Sequence, residues 1–222
     1  MKNAKKTCVV VTGGEFSDFS CLQESEIVNI RNADFVIACD HGFDYCEKLG
    51  LKPNLVLGDF DSIAALPDFG KIQVERLPCE KDDTDTMAAA RYCVQNGFSS
   101  VYFLCAFGGR LDHSVANFQT MLFLKKNGVD CYAYGVGTVC TIISDETKIF
   151  PRRKNFSFSA FSFGEKTLGV SISGAKYSVS DAELICDFPI GVSNEWADGS
   201  NQISVTVESG YLFIMECSCY FP

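Results

Sequence analysis

Apolar residues in this chain follow two regimes. Up to about residue 128 they come as short unbroken runs, such as Cys8-Val9-Val10-Val11, Phe35-Val36-Ile37-Ala38-Cys39, Leu55-Val56-Leu57 and Val101-Tyr102-Phe103-Leu104. Between the runs lie polar turns and segments of helical spacing. The pattern predicts strands over residues 6–12, 34–40, 55–57, 71–77 and 101–107. It predicts helices over 23–32, 43–49 and 86–96, and a long helix ending near 126. Gly50 with Pro53, and Gly97, stand where helices should stop. Unbroken apolar strands alternating with helices imply a mostly parallel sheet covered on both faces, an α/β domain.

From residue 130 onward the period becomes two, as in Phe156-Ser157-Phe158-Ser159-Ala160-Phe161-Ser162 and Gln202-Ile203-Ser204-Val205-Thr206-Val207. No segment there has helical periodicity, so the pattern predicts an antiparallel sandwich or barrel. The change of character falls between 134 and 151, and the expected domains are 1–140 (α/β) and 141–222 (all-β).

Composition narrows the function. With 222 residues, 47% of them hydrophobic, the chain can bury a sizeable core. A net charge of -9 with 19 Lys and Arg argues against a basic nucleic-acid-binding face, because phosphate backbones are held mainly by those residues. No apolar run is long enough for a signal peptide or a membrane span, and the expected location is the cytoplasm. Twelve cysteines are scattered through predicted strands and helices, without C-x-x-C spacing, and read as small buried hydrophobes rather than a zinc site or disulfide framework.

Candidate chemistry collects at the ends of the apolar runs. Gly58-Asp59-Phe60-Asp61-Ser62 follows the third run and places two carboxylates on one face of an extended turn. Like charges that close repel unless a cation lies between them, and oxygen-only donors suit magnesium, which commonly accompanies phosphates; the alternative is a solvated acidic turn. Asp40 ends the second run. Asp82, Asp83, Thr84 and Asp85 precede a helix; at least one of Asp82, Asp83 and Thr84 is expected to serve as its N-cap, and Lys81 beside them suits a phosphate. Gly108-Gly109-Arg110-Leu111-Asp112-His113 lies between strand and helix, where glycine backbone, helix dipole and guanidinium all favour an anion; the alternative is a tight turn capped by Asp112. With two histidines in the chain, His113 is as compatible with packing or capping as with catalysis. The one tryptophan, Trp196, sits in the polar loop Gly191-Val192-Ser193-Asn194-Glu195-Trp196, readable as a ligand platform or as core.

Taken in order, these segments resemble the thiamine pyrophosphokinase family. The resemblance rests on Asp40-His41-Gly42, Gly58-Asp59-Phe60-Asp61-Ser62, Glu80-Lys81-Asp82-Asp83-Thr84-Asp85, Gly108-Gly109-Arg110-Leu111-Asp112-His113 with Ala116-Asn117, Gly174-Ala175-Lys176-Tyr177 and Gly191-Val192-Ser193-Asn194-Glu195-Trp196. It implies an amino-terminal catalytic domain binding ATP and magnesium, and a carboxy-terminal sandwich binding thiamine. It also implies a homodimer with the active site between subunits, and transfer of pyrophosphate from ATP to thiamine, giving thiamine diphosphate and AMP. By the same resemblance Asp59, Asp61 and Asp85 are the magnesium ligands. Asp40, Lys81, Asp82, Thr84, Gly108, Gly109, Arg110 and Asp112 line the nucleotide and reaction centre. Ser193, Asn194 and Trp196 face thiamine, with the indole on its pyrimidine. The chain departs from the family pattern at His41 and Cys105, where glycine is usual, and at Ser178-Val179, where Pro-Leu is usual.

Two other readings compete. A metal-dependent phosphohydrolase would use the same carboxylates to activate water and would need no organic acceptor. A non-catalytic thiamine or nucleotide sensor would bind without turnover and would be expected to have lost carboxylates that this chain retains.

Overall fold

The computed structural model describes residues 5–58, 72–77 and 83–219, and these fall into two compact units divided between Val136 and Gly137. The first unit has strands β1 (Thr7–Val11), β2 (Phe35–Cys39), β3 (Leu55–Gly58), β4 (Gln73–Arg76), β5 (Ser100–Leu104) and β6 (Asp130–Gly135). Its helices are α1 (Glu24–Arg31), α2 (Gly42–Leu49), α3 (Asp85–Gln95) and α4 (Leu111–Lys126). The strands are parallel and run in the order β4-β3-β2-β1-β5-β6. The apolar runs of β1, β2, β3 and β5 are buried almost throughout, which is what a sheet covered on both faces demands.

Strand order locates a crevice. The sheet grows from β1 through β4 in one direction, then the chain crosses back and lays β5 on the opposite side of β1. Neighbouring connections therefore diverge at the carboxyl ends of β1 and β5 and leave an opening, the usual ligand position in an open α/β sheet. Helix ends follow local chemistry. Gly50 closes α2 at φ 67°, a left-handed position that glycine adopts without strain, and Thr84 Oγ1 accepts the Met87 N–H at 3.1 Å to open α3.

The second unit has seven strands among the described residues: β7 (Thr138–Ile143), β8 (Glu146–Pro151), β9 (Phe156–Ser162), β10 (Lys166–Ser173), β11 (Val179–Ile185), β12 (Gln202–Val207) and β13 (Leu212–Ser218). They pair antiparallel, in the orders β7-β13-β9 and β11-β10-β12-β8. Alternate residues turn inward, and Phe158, Val170, Leu184, Ile203, Val205, Leu212 and Ile214 from both sets of strands join one core. This is the antiparallel unit that the period-two pattern predicts. One element differs from the sequence reading: β6 lies in the region of alternating pattern yet pairs parallel with β5. It directly follows α4, and a strand-helix-strand connection delivers its second strand parallel to the first.

Candidate active site

The crevice of the first unit is a cleft of about 1050 Å³ at the carboxyl ends of the parallel strands. Four segments build it. The turn after β1 brings Thr12, Gly13, Gly14 and Glu15; the turn after β2 brings Asp40 and His41. The start of α3 brings Asp83, Thr84 and Asp85, and the segment from β5 into α4 brings Ala106, Gly108, Gly109, Arg110, His113 and Asn117.

Each segment is held by short-range constraints. Thr12 Oγ1 donates to the carbonyl of Cys105 at 2.5 Å, Gly14 N–H to the same carbonyl at 3.1 Å, and Glu15 N–H to the Phe107 carbonyl at 2.9 Å, so the two turns flanking the switch point are stitched together. A Cβ on Gly14 would collide with the Cys105 carbonyl. Cys105 itself takes φ 55°, a left-handed conformation that glycine adopts freely and other residues only under strain. That explains physically why glycine suits this position and makes Cys105 an expensive departure from it. Gly108 and Gly109 also have positive φ (95° and 68°), and Asn117 Nδ2 anchors the segment by donating to the Ala106 carbonyl at 2.6 Å.

On the opposite side Asp40 has φ 44°, its N–H donates to the Leu57 carbonyl at 3.0 Å, and its carboxylate lies over Gly58, where any Cβ would collide with Oδ1. Beneath it Cys39 is pushed well above the ordinary thiol range, first by burial, then by the negative charges of Asp85 and Asp40. Its Sγ donates to the Asp85 carbonyl at 3.7 Å. Asp40 and Asp85, 45 positions apart in sequence, thus line one cleft together with Cys39.

Residues singled out from sequence take distinct roles. Thr84 is the N-cap anticipated within the acidic run, while Asp83 pairs with Arg91 at 2.6 and 3.2 Å on the helix surface. Asp85 occupies the first position of α3, half-buried in the cleft wall. Arg110, not Asp112, is the N-cap residue of α4. The guanidinium holds Asp112 in a two-pronged pair at 2.6 and 3.1 Å, and that pairing is the main reason the Asp112 carboxyl lies below the ordinary range. Both are exposed, so either side chain can turn to a ligand. Asp59, Asp61, Lys81 and Asp82 lie outside the described residues. Thr12 and Glu15 were not identifiable from the sequence: a threonine ending a strand and a glutamate after two glycines carry no distinguishing local signal.

In the second unit the loop with the lone tryptophan turns that side chain inward. Trp196 is 4% exposed, packs edge-on against Phe158 at 5.6 Å and directs Nε1 to the Phe150 carbonyl at 3.4 Å. The indole is a core side chain, the second of the two alternatives, and its edge also lines a small pocket with Arg152, Arg153, Phe156 and Glu195. Asn194 is buried as well. Its Nδ2 donates to the Tyr177 carbonyl at 2.8 Å, and its Oδ1 accepts the N–H groups of Tyr177 and Glu195 at 3.0 and 2.9 Å. This side chain clamps the loop onto the segment after β10. Ser193 is exposed at φ 56°, with its N–H donating to Ser159 Oγ at 3.0 Å.

Residues 28–133 match the family model for the thiamin pyrophosphokinase catalytic domain, and residues 146–212 match that for the thiamin pyrophosphokinase vitamin B1 binding domain. No curated protein matches the chain by sequence. Among solved structures, a thiamine pyrophosphokinase from Bacillus subtilis is 19% identical, with 96% of this chain and 99% of that one covered and a TM-score of 0.82. The enzyme from Candida albicans is 12% identical (96% and 90% covered, TM-score 0.74). The yeast enzyme is 13% identical (97% and 87% covered, TM-score 0.72). At these identities the structural likeness speaks for the fold, and the two family models speak for the family.

Proposed function

Because the chain belongs to the thiamin pyrophosphokinase family, with the catalytic domain ahead of the vitamin B1 binding domain, we propose that its cleft transfers the β,γ-pyrophosphoryl group of ATP to the hydroxyethyl oxygen of thiamine. The products are thiamine diphosphate and AMP. The observation that carries this reading is the joint presence of both domains in order; the acidic cleft at the switch point supports it.

A divalent cation fits the residues present. Asp40 and Asp85 both line the cleft, and their donor atoms are all oxygen. Among the described residues no three ligand side chains cluster; of the trio proposed to hold magnesium, Asp59, Asp61 and Asp85, only Asp85 is described. When bound, magnesium neutralises charge on the phosphate oxygens and orients them for in-line attack. The chain's own groups do the rest. Gly108, Gly109 and the start of α4 offer backbone and dipole to the phosphates, and Arg110 can exchange its partner Asp112 for phosphate oxygens. Lys81, Asp82 and Thr84 complete the nucleotide side. The hydroxyethyl proton passes to a carboxylate, Asp85 in the cleft wall or Asp112 on the turn that carries Arg110; pairing with Arg110 lowers the Asp112 carboxyl below its ordinary range and makes it a poorer base than an unpaired carboxylate.

Thiamine recognition falls to the second unit. Ser193 is the exposed contact, and Asn194 sets the shape of its loop. The site is completed by a second copy of the chain: Tyr177, Phe188, Ile190 and Val192 around Ser193 are 51–66% exposed, an apolar surface suited to a subunit contact. Among the described residues no helix is long and apolar enough to cross a membrane, and the proposed location is the cytoplasm.

Incubation with thiamine, ATP and magnesium, followed by mass identification of products, tests the reading. Thiamine diphosphate with AMP is expected. Thiamine monophosphate with ADP would mean that the wrong phosphorus is attacked, and absence of any thiamine product would overturn the proposal.

A further inference from the structure

Both histidines of the chain line the same cleft, His41 from the start of α2 and His113 from the first turn of α4. His41 lies on the carboxylate side of the cleft, directly after Asp40. Its position is not that of a free surface residue. On one side Asp40 is locked at φ 44° by its bond to the Leu57 carbonyl; on the other, Gly42 lies so close to the Val11 carbonyl that a Cβ there would collide with it. Across the cleft is the turn after β1, where a methyl group on Gly13 would rest 3.6 Å from His41 Cβ. The exposed imidazole is thereby directed into the space between the β1 and β2 turns.

Charge indicates what it meets there. Of the described residues lining the cleft, the carboxylates are Glu15, Asp40, Asp83 and Asp85, whereas Arg110, on the α4 side, is the sole Lys or Arg. A nucleoside triphosphate carries about four negative charges, and among the described residues the β1–β2 side of this cleft offers it carboxylates and one nitrogen-bearing side chain, His41. Imidazole can donate to a phosphate oxygen in either protonation state, and does so most strongly when charged.

We propose that His41 is a donor-nucleotide contact, hydrogen-bonding the phosphates beyond the α position on the carboxylate side of the cleft. The proposal rests on the reading of the cleft as the ATP site. A single hydrogen bond to a charged group at a partly solvated position corresponds to about tenfold in affinity.

The test is calorimetric binding of a non-hydrolysable ATP analogue, and separately of AMP, to the wild-type chain, His41→Gly and His41→Gln, with magnesium present and thiamine absent. His41→Gly should weaken the analogue about tenfold and AMP less than twofold; His41→Gln, which keeps an N–H donor on a side chain of different shape, should fall between. Melting temperatures identify any variant that fails to fold, and the glutamine variant preserves the test if glycine loosens the turn. Unchanged analogue binding in both variants overturns the proposal. Equal loss of analogue and AMP also overturns it, since the contact would then lie elsewhere on the nucleotide or the turn itself would have shifted. A wild-type chain that binds neither nucleotide overturns the reading of the cleft on which the proposal rests.

Discussion

The cleft of the first unit and the tryptophan loop of the second are both marked by polar residues in unusual company, and they are built on opposite principles. In the cleft, Asp40, Asp85 and Arg110 hang on backbone that other groups hold, glycines, a threonine cap and an asparagine anchor, so their side chains line the cavity. In the loop, Asn194 and Trp196 are the holders. Their polar atoms are spent on Tyr177, Glu195 and Phe150, and the indole's surface is spent on the core. A rare residue in a polar stretch therefore marks either a ligand contact or a structural clamp, and burial decides which.

The sharpest way to break this comparison is to truncate the indole. Trp196→Ala should cost about 3–5 kcal/mol of stability, as for other large core aromatics, while Trp196→Phe retains most of it. Denaturant unfolding of both variants checks this. A ligand platform would instead lose thiamine affinity with little change in unfolding midpoint.

Asp85→Asn tests the cleft from the other direction. Turnover should fall by about 10²-fold or more, with the melting temperature nearly unchanged, if Asp85 is the metal-facing carboxylate proposed above, since such a group serves charge neutralisation rather than packing. A large loss of stability with residual turnover would place Asp85 among the holders. Asn194→Ala should be intermediate, at about 1–3 kcal/mol from its stranded buried partners, and any change in thiamine affinity should follow from the loosened loop.

The smallest effect compares two buried thiols, one in each unit. Cys105→Gly relieves a left-handed backbone and should cost less than about 1 kcal/mol, whereas Cys140→Gly, within the extended strand β7, should cost about 2 kcal/mol or more. Equal costs would mean that the conformation at Cys105 carries no strain.

Much of the fold is legible in the sequence because it rests on local physics. Unbroken apolar runs alternating with helices can bury themselves only as a covered parallel sheet, and the period-two half can do so only as facing antiparallel sheets. The acidic and glycine-rich segments are locatable because such residues are costly in element interiors and so mark turns. The stitching by Thr12, the proximity of Glu15 to Gly108, and the parallel pairing of β6 are not legible, since each depends on which strand lies beside which.

By itself, the sequence determined the two architectures, the ordered set of motifs and hence the family. Only the tertiary structure decided that Asp40 and Asp85 line one cleft with Cys39, that Thr84 rather than its acidic neighbours caps α3, and that the lone indole faces inward. The reason is that periodicity and turn chemistry act over a few residues, whereas convergence of side chains and burial of a loop are set by chain crossings many residues apart, where the energy of packing exceeds any local preference.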